Sequence, residues 1–127
     1  MKLIYLFLFL IFIIGCETEV DSSITLETDT DVYHSGEIIH ITSQIQSPAD
    51  INGVLVRFYG IDAGRYRLDE TITTNLVKGE NTIAFEYTAP SCNTCSGINP
   101  GVYNINVDVM DNQETLVSET INIEIRQ

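Results

Sequence analysis

Apolar and polar residues alternate along most of the chain after residue 23, in short runs that turn residues separate. In the segment EIIHITSQIQ, for example, Ile39, Ile41 and Ile45 fall on one face, and polar residues beginning with His40 fall on the other. A repeat of two residues is typical of a β-strand that buries one face. We therefore expect β-structure and no significant helix after residue 23.

Seven such runs follow one another, and each is short. They begin around Ile24 and continue through EIIHITSQIQ, NGVLVRFYG, RYRLDETITTNL, NTIAFEYT, GVYNINVDVM and TINIEIRQ. The run RYRLDETITTNL alternates least clearly and predicts an edge strand. Turn-forming pairs such as Ser35-Gly36, Asn52-Gly53 and Lys78-Gly79 separate the runs. Strands with one apolar face need a second sheet to cover them, so the pattern predicts a seven-stranded antiparallel β-sandwich.

The inward-facing positions of these runs predict the hydrophobic core. The core residues expected on this basis are Ile39, Ile41, Val54, Val56, Phe58, Phe85, Ile105, Val107, Ile121 and Ile123.

The N-terminal segment has a different pattern. Residues 3–14 are twelve uninterrupted apolar or aromatic residues, and Lys2 is the only charged residue before Glu17. A helix that crosses a bilayer needs about 20 apolar residues. Twelve residues after a single positive charge are typical of the apolar region of a secretory signal.

The end of that run, Ile13-Ile14-Gly15-Cys16, resembles the lipobox of prokaryotic lipoprotein precursors. The resemblance covers residues 1–16, and Ile14 departs from the small residue that is usual at its position. It implies that the chain is cut before Cys16 and that this cysteine carries diacylglycerol, whose two acyl chains anchor a protein stably. The alternative is an uncleaved anchor in which Cys16 is an incidental thiol. The expected location is extracytoplasmic, at the cell surface or the periplasmic face of a membrane.

The predicted organisation is a signal peptide at residues 1–15, a lipidated cysteine and tether at residues 16–23, and one domain at residues 24–127. Removal of the signal takes away Lys2 and no acid, which leaves five basic residues against eighteen acidic ones and a net charge of −13. Such a charge argues against nucleic acid, whose phosphates require a basic face. It also argues against electrostatic adhesion to anionic lipid. The membrane contact is therefore expected through the lipid alone.

Two segments of the domain resemble bacterial and archaeal Ig-like surface domains. VYHSGEIIHITSQI resembles their opening strands, and NPGVYNINVDV resembles their sixth strand, which places Tyr103 at the position of the tyrosine corner. The chain has no Trp and no antibody-type cysteine pair, so the resemblance is to the fibronectin type III and CARDB-like group. Members of that group mostly serve as adhesion, spacer or protein-binding modules.

The segment SCNTCSG contains a CxxC pair, Cys92 and Cys95. An exported protein meets oxidising conditions, which favours a disulfide between these two residues. A metal site is the alternative, but it would need further ligands, for which the mature chain offers only His34, His40 and Cys16. We expect His34 in a turn and His40 on an outward face. A redox role is a third possibility, although the motif does not precede a predicted helix.

The loop that contains this pair is the longest segment without strand character, and loops on a rigid sandwich often carry binding surfaces. It is therefore the candidate binding loop, although it could equally be a stiff connector. Its candidate contact residues are Asn93, Thr94, Ser96, Ile98 and Asn99.

The charged residues give weaker signals. The acidic pairs at Asp29 and Asp31 and at Asp108 and Asp111 lack the pattern of a calcium-binding loop, so we expect them to be solvated. The basic residues Arg57, Arg65 and Arg67 are expected to pair with Asp62, Asp69 or Glu70, and the alternative is a docking patch for an anionic partner.

These patterns contain no catalytic constellation and no Gly-x-Ser-x-Gly motif. We therefore expect no catalytic residue, no cofactor and no bound metal. The expected function is that of a non-enzymatic protein-binding or accessory module with an unidentified protein partner. Two alternatives stay open: a metal- or ion-binding protein that uses Cys92 and Cys95 or the Asp clusters, and a structural spacer in an envelope or filament assembly.

Overall fold

The computed structural model describes residues 21–62, 67–92 and 98–127, and these residues form eight β-strands and no helix. The strands in chain order are β1 (Ser23–Thr28), β2 (Val32–His34), β3 (Ile38–Ser47), β4 (Ile51–Gly60), β5 (Leu68–Leu76), β6 (Gly79–Thr88), β7 (Gly101–Asp111) and β8 (Glu114–Arg126). No membrane-crossing helix occurs within this part of the chain.

The strands form two sheets that pack face to face. Sheet A has three antiparallel strands in the order β1-β3-β6, and sheet B has five strands in the order β2-β8-β7-β4-β5. Strand β2 pairs with β8 in parallel, whereas all other pairs are antiparallel. The all-β prediction and the edge position of β5 are confirmed. The prediction of seven antiparallel strands is wrong, because the described residues form eight strands and sheet B is mixed.

Strand β2 is the strand that the sequence pattern did not predict, and it changes the position expected for His34. His34 is the last residue of β2 and pairs with Arg126 of β8, whereas the sequence predicted a turn at this residue. The strand has only three residues and a single buried side chain, Tyr33, which is 1% exposed. Its hydroxyl donates a hydrogen bond to Asp29. One inward residue cannot produce a visible alternation, so the pattern did not predict this strand.

The predicted core is largely confirmed. Eight of the ten predicted residues are buried, and only Phe85 and Ile121 are partly buried. Phe85 still packs inward, because its ring stacks on Phe58 of sheet B with 5.5 Å between centroids. It lies on β6, an edge strand of sheet A, so no neighbouring strand covers its other side.

The two ends of the sandwich differ. At one end, which we call the turn end, Ser23 pairs with Gln46, and short turns join β3 to β4, β5 to β6 and β7 to β8. At the opposite end, which we call the loop end, lie the connections from β2 to β3, from β4 to β5 and from β6 to β7. Ten-residue strands separate the ends, a distance of about 33 Å at 3.3 Å per residue. The chain therefore enters the fold far from its longer connections.

The register on β4 predicts opposite effects for two neighbouring substitutions. Val56→Asp should unfold the domain, because it removes about 1.5–3 kcal/mol of burial and places a carboxylate in the core. Leu55→Asp is the matched control, since Leu55 is 40% exposed and faces outward. Thermal melting followed by circular dichroism checks both. A similar melting temperature for the two variants would show that the register of β4 is wrong.

Candidate functional site

The base of the CxxC loop is part of the core. Cys92 and Ile98 are 3% and 2% exposed, and they form an isolated parallel bridge. The Ile98 amide also donates to the carbonyl of Ser91 at 3.0 Å. Cys95 lies outside the described residues, so the Cys92–Cys95 disulfide stays a prediction.

The turn between β2 and β3 fixes this base in place. The hydroxyl of Ser35 accepts the Cys92 amide at 2.6 Å, and the Ser35 amide donates to the carbonyl of Arg126 at 2.9 Å. The next amide, that of Gly36, donates to the Ala89 carbonyl at 3.0 Å. Gly36 has a φ of 81°, a conformation that glycine adopts without a steric penalty. The turn therefore connects the end of β8, the end of β6 and the start of the loop.

Tyr103 holds the other end of the loop. Its hydroxyl donates a hydrogen bond to the carbonyl of Asn99, which is the arrangement predicted for a tyrosine corner. Burial raises the pKa of this hydroxyl. The hydroxyl thus stays protonated and can donate to Asn99 at neutral pH.

The candidate contact residues of the loop have different positions. Asn99 is exposed, whereas the Ile98 side chain is buried and lies in the core, not on the surface where the sequence predicted it. Asn93, Thr94 and Ser96 lie outside the described residues. A contact surface on this loop would therefore consist of polar residues above an apolar base.

Beside the loop, an open depression of ≈ 380 Å³ lies between the end of β4 and the start of β7. It is lined by Tyr59, Gly60, Ile61, Asp62, Val102, Tyr103, Asn104 and Asn106. A Cβ on Gly60 would lie 2.1 Å from the carbonyl oxygen of Asn104, so only glycine fits there. Ile61 follows with a φ of 45°, which is strained for a β-branched residue, and its amide donates to that same carbonyl at 2.9 Å. No pattern in the sequence predicts this depression, because it depends on the pairing of β4 with the distant strand β7.

One basic residue near this depression, Arg57, is already paired. Arg57 donates to both carboxylate oxygens of Asp69, at 2.9 and 3.3 Å, and lies 4.7 Å above the centre of the Tyr59 ring. The hydrogen bond from Arg57 holds the pKa of Asp69 below its usual value. The predicted surface pairing is confirmed for Arg57, and Arg65 lies outside the described residues. Both partners are 41% exposed, so the pair contributes little to stability.

The acidic pairs and the histidines make separate local contacts. Asp29 accepts hydrogen bonds from the Tyr33 hydroxyl and, at 3.3 Å, from the His40 amide, which lower its pKa. The exposed His40 imidazole lies 3.2 Å from Glu86. Residues 21–62, 67–92 and 98–127 contain no group of three or more side chains that could hold a metal ion.

Comparisons with known proteins show a similar fold. No protein-family model and no curated protein matches the chain. A CARDB domain from Pyrococcus furiosus, solved in complex with di-metal ions, is 16% identical and has a TM-score of 0.56, with 83% of this chain and 92% of that chain covered. A sporulation control protein of Bacillus subtilis is 14% identical, with a TM-score of 0.56 and coverage of 84% and 50%. An alkylpurine DNA glycosylase of Pseudomonas fluorescens, bound to DNA, is 20% identical, with a TM-score of 0.59 and coverage of 84% and 31%.

At these identities the likeness shows the fold alone. The chain has a CARDB-like, Ig-like sandwich domain, as the resemblance of its strand segments implied. The proteins that share this architecture have unrelated activities, so the fold does not assign one here.

The contact between Ser35 and Cys92 can be tested directly. Ser35→Ala should lower the free energy of unfolding by about 1–2 kcal/mol, because it leaves the Cys92 amide without its acceptor. Hydrogen exchange should show faster exchange at that amide, and urea denaturation measures the stability. Ser118→Ala, at an exposed position on β8, is the matched control. Unchanged exchange at Cys92 would contradict the proposed fixing of the loop base.

Proposed function

We propose that this protein is a membrane-anchored extracytoplasmic lipoprotein whose Ig-like domain is a non-enzymatic protein-binding or accessory module. The lipobox-like end of the apolar segment, residues 13–16, supports the anchor. The net charge of −13 after cleavage supports an exterior that is soluble and repels anionic lipid.

The end of the sandwich at which the chain enters the fold is the observation that supports this proposal. The chain enters β1 at the turn end, where Ser23 pairs with Gln46. Residues 16–22 are seven residues long and span at most about 25 Å when fully extended. A lipid on Cys16 would therefore hold the turn end near the membrane and present the loop end to the exterior.

The loop end has the properties of a contact surface. Three fixed points hold the ends of the CxxC loop: the Cys92 amide on Ser35, the Cys92–Ile98 bridge, and the Tyr103 hydroxyl on Asn99. A loop whose ends are fixed loses less conformational entropy when it binds a partner. We propose that Asn93, Thr94, Ser96 and Asn99 make the contacts, and that a Cys92–Cys95 disulfide limits the conformations of the loop.

The charged side chains of the domain support a binding role over a catalytic one. His34 and His40 are exposed, and each lies beside a glutamate, Glu37 at 3.7 Å and Glu86 at 3.2 Å. An exposed histidine–glutamate pair on an open surface lacks the excluded, preorganised environment that catalysis uses. We therefore propose no catalytic residue.

A metal-binding role is the second candidate, because the Pyrococcus furiosus CARDB domain was solved with di-metal ions. In this chain such a site would use Cys92 and Cys95 or the Asp clusters. Elemental analysis of the purified protein distinguishes the two roles, since a metal protein carries stoichiometric metal and keeps both thiols reduced.

The anchor predicts the behaviour of one cysteine variant. Wild-type protein should fractionate with membranes, begin at Cys16 and carry the mass of a lipid, because the lipobox resemblance implies cleavage before a lipidated Cys16. Cys16→Ser should lose the lipid mass, while Cys95→Ser, the matched control, should keep it. Intact-mass spectrometry of membrane extracts measures both. A wild-type chain that begins at Met1, or that lacks lipid, would refute the anchor.

The contact surface predicts the outcome of a pull-down from native membranes. Asn93→Ala/Thr94→Ala should reduce partner recovery at least about tenfold, a loss of about 1.4 kcal/mol, without lowering the melting temperature. Asn52→Ala/Thr115→Ala is the matched control at the turn end, where both residues are exposed. Equal losses in the two double variants, or no loss in either, would exclude the loop as the contact.

A further inference from the structure

The two sheets have unequal numbers of strands, and the difference leaves one side of the sandwich open. The stack of Phe58 on Phe85 places β4 opposite β6, the edge strand of sheet A. Strand β5 pairs with β4 on the far side, so it extends beyond β6 and has no strand of sheet A opposite it. Accordingly Ile72, on the inner face of β5 beside Val56, is only partly buried. We call the space beside the middle of β5 the β5–β6 cleft. It does not extend along the whole strand, because Leu68 and Leu76 at the two ends of β5 are buried.

The free edge of β6 presents unpaired backbone groups to this cleft. Ala89 donates to the Glu37 carbonyl, so its backbone faces β3, and the backbone direction alternates along a strand. The His40 amide, which points away from β6 to Asp29, agrees with this alternation. The N–H and C=O groups that face the open edge therefore belong to Glu80, Thr82, Ala84, Glu86 and Thr88. The pairing with β3 runs through all ten residues of β6 without a bulge.

The strands that border the cleft are acidic, and most of their acidic side chains lie on the outer faces. Strands β5 and β6 together carry four acids, Asp69, Glu70, Glu80 and Glu86, and no lysine or arginine. Asp69 is paired with Arg57, but Glu70 pairs in register with Phe58 and therefore lies on the inner face of β5, where it is exposed. An inward-facing charge at an edge discourages a wholly apolar strand from pairing there. Glu80 and Glu86 lie on the outer face of β6, where they favour a strand that brings positive charge to that face.

We propose that the β6 edge binds an extended segment of a partner protein in which basic and apolar residues alternate, as a fourth strand of sheet A. Its backbone pairs with the free groups of β6, as in other cases of β-strand addition. Its apolar side chains enter the cleft beside Phe85 and Ile72. Its basic side chains lie on the outer face near Glu80 and Glu86. The surface is distinct from the loop end, so the proposal does not depend on the anchor or on the CxxC loop.

Charge excludes a second copy of this chain as the favoured occupant. Pairing β6 with the β6 of another copy would bring Glu80 and Glu86 of both copies onto one outer face, with no lysine or arginine on either strand to offset them. The whole chain adds to this repulsion, since its net charge is −12.

The probe for this site is a fluorescent heptapeptide, Lys-Val-Lys-Val-Lys-Val-Lys, titrated against the full chain in a neutral detergent. Fluorescence anisotropy should show binding that weakens between about 0.02 and 0.2 M salt, because part of the attraction is electrostatic. A block peptide, Lys-Lys-Lys-Lys-Val-Val-Val, has the same charge and composition without the alternation. It should bind at least about tenfold more weakly, a difference of about 1.4 kcal/mol.

A proline on β6 tests the backbone pairing. Ala84→Pro removes the central outward N–H but no bond to β3, and proline is tolerated at such edge positions. It should weaken binding of the alternating peptide at least about tenfold, while Ala84→Ser leaves it unchanged. Circular dichroism confirms that both variants are folded. Equal binding by the two variants, or by the two peptides, would overturn the proposal.

A charge reversal keeps the test decisive if the proline variant does not fold. Glu80→Lys/Glu86→Lys changes two exposed side chains. The wild-type protein should prefer the lysine peptide, and this double variant should instead prefer Glu-Val-Glu-Val-Glu-Val-Glu. An unchanged preference would overturn the proposal, as would the absence of wild-type binding at about 1 mM peptide, which corresponds to about −4 kcal/mol.

Discussion

The turn at residues 35–37 is the contact on which the arrangement of the loop end depends. There the chain leaves β2 in sheet B and enters β3 in sheet A, so the turn belongs to both layers. Its backbone bonds to Arg126 in one sheet and to Ala89 at the end of the other, and its Ser35 hydroxyl holds the Cys92 amide. Two chain segments that are distant in sequence, the end of β8 and residues 89–92, therefore meet at two consecutive residues, Ser35 and Gly36. Without these bonds the buried polar groups of the loop base would lack partners, which is costly in an apolar environment.

The alternation of apolar and polar residues predicted most of the fold because each long strand has one buried face. The buried positions of Ile39, Val56 and Ile105 follow from a local repeat of two residues. This repeat does not depend on which other strand the segment pairs with. The tyrosine corner at Tyr103 was also predictable, since it depends on a contact only four residues away. Local physics and the folded structure agree at these positions.

The features that the sequence analysis missed depend on contacts between distant residues. Strand β2 exists because β8 accepts it in parallel, and nothing in Val32-Tyr33-His34 indicates that partner. Ile98 lies in a loop of polar and small residues, and only its bridge to Cys92 explains its burial. The partial exposure of Phe85 follows from the number of strands in each sheet, which no single segment encodes.

The acidity of the chain has two consequences for the open side of the sandwich, where β6 has a free edge. A long, regular edge strand is an aggregation hazard, and β6 has neither a bulge, a proline nor a lysine to protect it. Repulsion between negative chains, together with the inward-facing Glu70, supplies that protection instead. Protection of this kind is selective, because it repels an acidic strand but attracts a basic one. The charge that keeps copies of this chain apart therefore also determines which extended segment the edge can accept.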